Sequence, residues 1–307
     1  MPRSSQGITA VNPRPRQADG LQSWCPSGLS AMLETHHLTV RFGGHVAVNA
    51  VTCRFEPGTL TAIVGPNGAG KTTYFNLISG QLPATAGQVF LGGQELTGQS
   101  ASARTRAGLG RAFQLTNLFP NLSVLENVRL AVQATRSGKH RRGLNLWSIW
   151  SDHTGLTERA HEILASVAML AQQDAPVASL PHGDQRKLEV ALLMALEPSV
   201  YMFDEPTAGM GHDEAPVILD LIRQLKKDKR KTILLVEHKM DVVRDLADRI
   251  IVLHNGTLVA DGEPAEVIAS AVVQEAYLGA SAKNASAQDG TPPHPGLPPR
   301  GGKGEQP

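Results

Sequence analysis

The sequence predicts an α/β protein with a mostly parallel sheet flanked by helices, an N-terminal antiparallel β subdomain and an inserted helical subdomain. Three observations carry that prediction. The loop Gly65-Pro66-Asn67-Gly68-Ala69-Gly70-Lys71-Thr72 stands between the apolar, strand-like run Leu60–Val64 and the helix-competent residues 73–78, an order that opens a βαβ unit. Residues 200–203, 232–236 and 249–253 are short, apolar, β-rich runs separated by helical stretches, the texture of strands buried on both faces of a parallel sheet. Ahead of them, residues 38–42, 46–55 and 88–91 are strand-like and punctuated by Gly43-Gly44, Pro57-Gly58 and Gly92-Gly93, as expected of an antiparallel region wrapped around the first parallel strand.

In chain order, residues 1–31 are rich in Pro, Ser, Gly, Gln and Arg without sustained periodicity and are expected to form a disordered tail. The folded domain is expected to span residues 32–282. Within it, residues from about 117 to 179 read as mainly helical, because 124–130 and 162–170 carry apolar side chains at helical spacing. A short C-terminal helical extension is expected at about 264–282. Residues 283–307 carry Pro292, Pro293, Pro295, Pro298 and Pro299 among glycines and polar residues, a second expected disordered tail.

Composition narrows the function classes. The 307 residues are 41% hydrophobic and 19% charged, with a formal net charge of +1. Nothing here resembles the global basic field of a nucleic-acid-binding protein, so nucleic acid is not expected as the main partner. Arg3, Arg14 and Arg16 are followed by no apolar signal-like region, and no run approaches 18 apolar residues; neither secretion nor membrane spanning is expected. Cys25 and Cys53 allow at most one bridge and are expected to be free thiols in a reducing cytoplasm.

The chemistry is concentrated in a few segments. The loop at 65–72 matches the G-x-x-x-x-G-K-[ST] pattern at every fixed position, so its backbone N–H groups and the helix start behind it are suited to phosphate oxygens. Gly65, Pro66, Asn67, Gly68, Ala69, Gly70, Lys71, Thr72 and Thr73 are therefore the candidate nucleotide-binding residues. Lys71 is suited to the β- and γ-phosphates, and the Thr72 hydroxyl to Mg²⁺. Residues 200–203 run into Asp204-Glu205, an acidic pair at a strand terminus, where α/β sheets present ligand groups. Asp204 is the candidate metal residue, and Glu205 the candidate for polarising an attacking water.

The order of the P-loop, Gln114 in Ala112-Phe113-Gln114, the run Leu180-Pro181-His182-Gly183-Asp184-Gln185, then Asp204-Glu205-Pro206-Thr207 and His238 resembles the ATP-binding subunit of an ABC transporter. Arg41-Phe42-Gly43-Gly44, Leu125-Glu126-Asn127-Val128, Gly209-Met210 and Glu275-Ala276-Tyr277-Leu278-Gly279 further resemble the branched-chain amino acid importer subfamily, over residues from about 32 to 280. The resemblance implies ATP and Mg²⁺ as cofactors and ATP hydrolysis as the activity. It implies that Phe42 stacks on adenine, although a core aromatic on a strand is the alternative. Gln114 is implied to sense the metal and the water, and His238 to act as the switch histidine at the γ-phosphate.

Leu180, Pro181, His182, Gly183 and Asp184 are implied to reach the nucleotide bound by a second ATP-binding subunit. Here the sequence departs from the usual Leu-Ser-Gly-Gly-Gln, with Pro181 in place of the serine and Asp184 in place of the glutamine. The phosphate contact would then rest on backbone N–H groups and on a helix expected to start near Gln185. Gly211 stands where an acidic residue is frequent in the family. Further partners implied are transmembrane permease subunits and, indirectly, a periplasmic solute-binding protein, with the chain peripheral on the cytoplasmic face of the inner (plasma) membrane. A urea or amide importer remains the alternative within transport. A soluble ABC ATPase of translation or DNA maintenance is the alternative outside it, disfavoured by the single cassette and near-neutral charge. The basic stretch 138–142 beside Trp147 and Trp150 suits either a lipid headgroup surface or packing inside the helical subdomain. Phe119 and Leu122 are candidates for a permease-facing surface.

Overall fold

The helix that follows the glycine-rich loop lies between two sheets, and the fold is easiest to build outward from it. The structure is a computed structural model that describes residues 31–112, 118–139, 153–211, 213–271 and 273–275. Residues 1–30 with Cys25, Phe113 and Gln114, the stretch 140–152 with Trp147 and Trp150, and residues 276–307 lie outside the described residues.

The first sheet is antiparallel. Strand β1 (Leu33–Phe42) turns through Gly43-Gly44 into β2 (His45–Phe55), and β1 also pairs with β4 (Ala86–Leu91), to which the two-residue β5 (Gln94–Glu95) adds an edge. The second sheet holds β3 (Leu60–Val64), β6 (Leu109–Ala112), β7 (Val200–Asp204), β8 (Thr232–Val236), β9 (Arg249–His254) and β10 (Thr257–Gly262), in the order β10-β9-β3-β8-β7-β6. All its pairings are parallel except β10 on β9. Strands β3, β7 and β8 are buried at every position, which is why their sequences run apolar rather than alternating. Because the three run parallel as neighbours, their C-terminal ends share one edge of the sheet.

Helix α1 (Lys71–Ser79) starts at the C-terminal end of β3 and buries Tyr74, Phe75, Leu77 and Ile78. These pack with Leu33, Val51 and Val89 of the antiparallel sheet and with Ile63, Met202 and Leu234 of the parallel one. The Tyr74 hydroxyl lies 2.7 Å from Thr35 Oγ1, whose oxygen also accepts from the Cys53 amide. Cys53 is a buried free thiol, pushed up to about 11 by burial, so the expectation of an unbridged cysteine holds there. Helix α2 (Ala101–Arg106) supplies Arg104, whose guanidinium donates to the Leu77 and Ile78 carbonyls at 2.8 and 2.7 Å. Those carbonyls lie in the last turn of α1, where Leu77 otherwise accepts only a long bond from the Gly80 amide at 3.4 Å, and a cation suits the negative end of the helix.

The segment after β6 is mainly helical where it is described. Helix α3 (Val124–Lys139) opens with a capping box in which the Glu126 amide donates to Ser123 Oγ and the Ser123 amide donates to the Glu126 carboxylate. Its Val124, Val128 and Val132, one turn apart, pack with Ile163 and Leu164 of α4 (His153–Ser166) and Leu188 of α5 (His182–Leu196). Two sequence expectations are corrected here. The run 162–170 is not one helix, because α4 ends at Ser166 and Ala168 takes a left-handed φ of 55°. The helix expected near Gln185 begins at His182, three residues earlier, since Pro181 supplies a carbonyl that accepts from the Gln185 amide. The chain ends its described part with α6 (Ala215–Lys226), α7 (Met240–Leu246) and α8 (Pro264–Ala269). Among the described residues no helix is long and apolar enough to cross a membrane.

Candidate nucleotide site

The loop between β3 and α1 passes close to neighbouring backbone atoms that leave no room for a side chain at Gly65 or Gly70. Gly65 has a φ of 151°, and a Cβ there would lie 2.1 Å from the Leu253 carbonyl oxygen; Gly70, at φ 96°, would meet the Ala47 carbonyl oxygen at 2.6 Å. Only glycine satisfies both the conformation and the approach. The Ala69 amide donates to the Pro66 carbonyl, and the Ala69 carbonyl accepts from the Gly256 amide, so the turn is braced from β10's side. Asn67, Gly68 and Thr72 are exposed at its mouth, and Thr73 is half-buried.

Lys71 is buried and folds back along the loop, with Nζ donating to the Gly65 carbonyl at 2.7 Å and the Pro66 carbonyl at 3.0 Å. Burial lowers its pKa, opposed by the Glu205 and Asp204 carboxylates. A cation held by neutral carbonyls beside two carboxylates is available to an anion with more charge to offer.

The other residues arrive from the same sheet edge. Asp204 ends β7 and is buried; desolvation raises its pKa, opposed first by the Arg111 guanidinium. Glu205 follows at a left-handed φ of 49° with its amide donating to the Val236 carbonyl at 2.9 Å. His238, just past β8, lies with Nδ1 3.5 Å from Glu205 Oε1. The turn carrying it is pinned by Glu237, which is buried and accepts from the His238 and Lys239 amides at 2.9 and 3.1 Å. The structure therefore brings Lys71, Asp204, Glu205 and His238 together at the C-terminal ends of β3, β7 and β8, while Gln114 lies outside the described residues. The donor set fits a hard cation: a carboxylate from Asp204 and a hydroxyl from Thr72, beside a loop of converging N–H groups.

The signature segment stands apart. Among the described residues no hydrogen bond joins 180–184 to the loop at 65–73. Pro181 and His182 are exposed at the α5 N-terminus, whereas Leu180 and Gly183 are buried. Asp184 is buried, with one oxygen on Lys187 Nζ at 2.9 Å and the other accepting from Gln172 Nε2 at 3.0 Å. A Cβ at Gly183 would sit 2.2 Å from a Glu214 carboxylate oxygen. That same carboxylate accepts from the Gly211 amide at 3.0 Å, so an acidic group stands beside position 211. Phe42 is 51% exposed, which excludes the core alternative for this ring within the described residues. Sequence reasoning overlooked Arg111, Glu237 and Glu214. Arg111 carried one usable signal, a charged residue inside the strand leading to Gln114.

The family model described as ABC transporter matches residues 48–208. The chain belongs to this family. The ABC relatives include the high-affinity branched-chain amino acid transport ATP-binding protein LivG of Escherichia coli (strain K12), 36% identical over 249 residues that cover 81% of this chain and 98% of the relative. The branched-chain amino acid transport ATP-binding protein BraF of Pseudomonas aeruginosa is 35% identical over 250 residues, covering 81% and 98%. Among solved ABC structures, the ADP conformation of MJ1267, an ATP-binding cassette of an ABC transporter, aligns with a TM-score of 0.67 at 28% identity, covering 81% of this chain and 98% of that one. The expected ABC-type P-loop fold, with its antiparallel sheet, parallel sheet and helices, is thus borne out. As an ABC cassette the chain is an ATPase that binds ATP.

Proposed function

We propose that this chain is the ATP-hydrolysing subunit of an importer for branched-chain or related amino acids. It would work in a pair with a second ATP-binding subunit, on permease subunits at the cytoplasmic face of the plasma membrane, with solute delivered by a periplasmic binding protein. The domain would span 32–282 between two tails. The observation that carries the hydrolytic part is the meeting of Lys71, Asp204, Glu205 and His238 at one edge of the parallel sheet, with Glu205 Oε1 3.5 Å from His238 Nδ1. The relatives named for branched-chain amino acid transport, matched along 98% of their length, support the solute class.

In this reading the backbone N–H groups of 65–73 grip the phosphates and Lys71 exchanges the Gly65 and Pro66 carbonyls for phosphate oxygens. Thr72 and Asp204, with Gln114, would hold Mg²⁺, which would supply positive charge against the phosphates. Glu205 accepts a hydrogen bond from the attacking water and aligns it with the γ-phosphate; His238 steadies that phosphate from the neighbouring strand end. Phe42, exposed at the end of β1, stacks on adenine. Leu180, Pro181, His182, Gly183 and Asp184 face the second subunit's nucleotide, with the exposed residues Pro181 and His182 as the contact and Asp184 bracing from within. The test is uptake by vesicles reconstituted with the complete transporter. Leucine, isoleucine or valine should be accumulated in an ATP-dependent way, and accumulation of urea or short amides with no amino acid uptake would contradict the proposed solute class.

A further inference from the structure

Arg111 has no part in the site as its motifs define it, yet its guanidinium joins the site's two halves. It lies on β6 with its side chain 5% exposed, and Nη2 donates to Asp204 Oδ2 at 2.9 Å. Nη1 donates to Asn76 Oδ1, Ser79 Oγ and Gln81 Oε1 at 2.6, 2.9 and 3.0 Å, and the guanidinium carbon stands 5.4 Å from the Phe75 ring centre. Phe75, Asn76 and Ser79 belong to α1, the helix that begins with Lys71 and Thr72. One planar fork therefore fastens the Asp204 carboxylate to the helix carrying the P-loop. The second oxygen, Asp204 Oδ1, accepts no hydrogen bond from a described residue.

We infer that Arg111 is a positioning residue for the metal site: it holds Asp204 by Oδ2 in register with the Thr72 hydroxyl and leaves Oδ1 facing the cation or its water. The inference rests on the proposed assignment of Asp204 to the metal. A guanidinium suits this task because its donors are fixed in one plane and reach the carboxylate and α1 at once, which a lysine ammonium cannot do. Groups that orient a ligating carboxylate from behind typically change metal affinity by about 10–100-fold when removed. A purely structural brace would behave differently, weakening the fold and every mode of nucleotide binding alike.

The test is calorimetric titration of the full-length protein with the non-hydrolysable analogue AMP-PNP, once with Mg²⁺ and once with EDTA. Arg111→Gln is expected to lower the Mg²⁺-supported affinity by about tenfold and to leave the metal-free affinity within about twofold. Arg111→Lys, which keeps the charge without the fork, should lose about threefold of the Mg²⁺-supported affinity alone. A ratio of the two affinities equal to wild type in folded Arg111→Gln overturns the inference; if circular dichroism shows that this variant does not fold, the same outcome in Arg111→Lys overturns it. Asp204→Asn separates the underlying assignment: an unchanged ratio there removes Asp204 from the metal site, whereas a fall there with none in the Arg111 variants defeats this inference alone.

Discussion

Glu205 is held at a φ of 49°, in a region that a residue with a side chain enters at a cost of roughly 1–2 kcal/mol. Its amide is tied to the Val236 carbonyl, so the chain turns sharply where β7 ends, and the carboxylate comes to the histidine from the next strand. Strain at this position is explained by that meeting. Lys71 is a buried ammonium held by two neutral carbonyls; in its proposed role a phosphate replaces them with charge-assisted bonds worth about 1.5–3 kcal/mol. Lys71→Ala should therefore weaken MgATP binding by roughly ten- to a hundredfold with an unchanged circular dichroism spectrum. Wild-type affinity in a calorimetric titration would remove Lys71 from the phosphate site. Lys71, Asp204, Glu205 and His238 were legible in the sequence because each sits at a fixed offset from an apolar strand. Arg111 and Glu237 were not: Arg111 meets Asp204 across 93 residues of chain, and Glu237 acts through backbone amides that no residue pattern records.

At the scale of elements, α1 is the part on which most depends, since it delivers the loop and is enclosed by both sheets. Its far end is secured by Arg104, which is buried and donates to the carbonyls of Leu77, Ile78, Thr97 and Gln99. Arg104→Met keeps much of the volume but leaves those acceptors unsatisfied, and we expect a loss of about 2–4 kcal/mol. Urea unfolding of the variant should show the lower midpoint, and an unaltered midpoint would contradict this role. The buried strands β3, β7, β8 and β9 were readable as apolar runs. Strand β6 was missed because Leu109-Gly110-Arg111-Ala112 lacks such a run, and β10 because its positions are only partly buried. The ends of α4 and the start of α5 were misread for a related reason, since they depend on a left-handed Ala168 and on the Pro181 carbonyl rather than on side-chain periodicity.

At the scale of the whole molecule, the two sheets and the described helices enclose the buried apolar residues, and the stretches at the two ends of the sequence are poor in apolar residues. Removal of residues 1–31 or 283–307 should leave ATPase activity within about twofold, because neither stretch carries enough apolar surface to build a core. Loss of the folded state by circular dichroism in either truncation would show a tail bound to the core. The fold class and the two-sheet layout followed from strand texture, and the signature segment from motif order. The cis bracing of that segment by Glu214 and Lys187 emerged only in three dimensions.

If one sheet edge assembles a water-activating carboxylate beside a phosphate cradle, the Glu205→Gln variant separates hydrolysis from binding. An amide at 205 keeps the size of the side chain but cannot accept the proton of the attacking water, while Lys71, Thr72 and Asp204, the proposed nucleotide and metal residues, are unchanged. Removal of such a group lowers turnover by about 10²–10⁴-fold. Steady-state ATP hydrolysis by the purified transporter carrying this substitution should fall by that order with MgATP affinity retained, and hydrolysis at the wild-type rate would contradict the account.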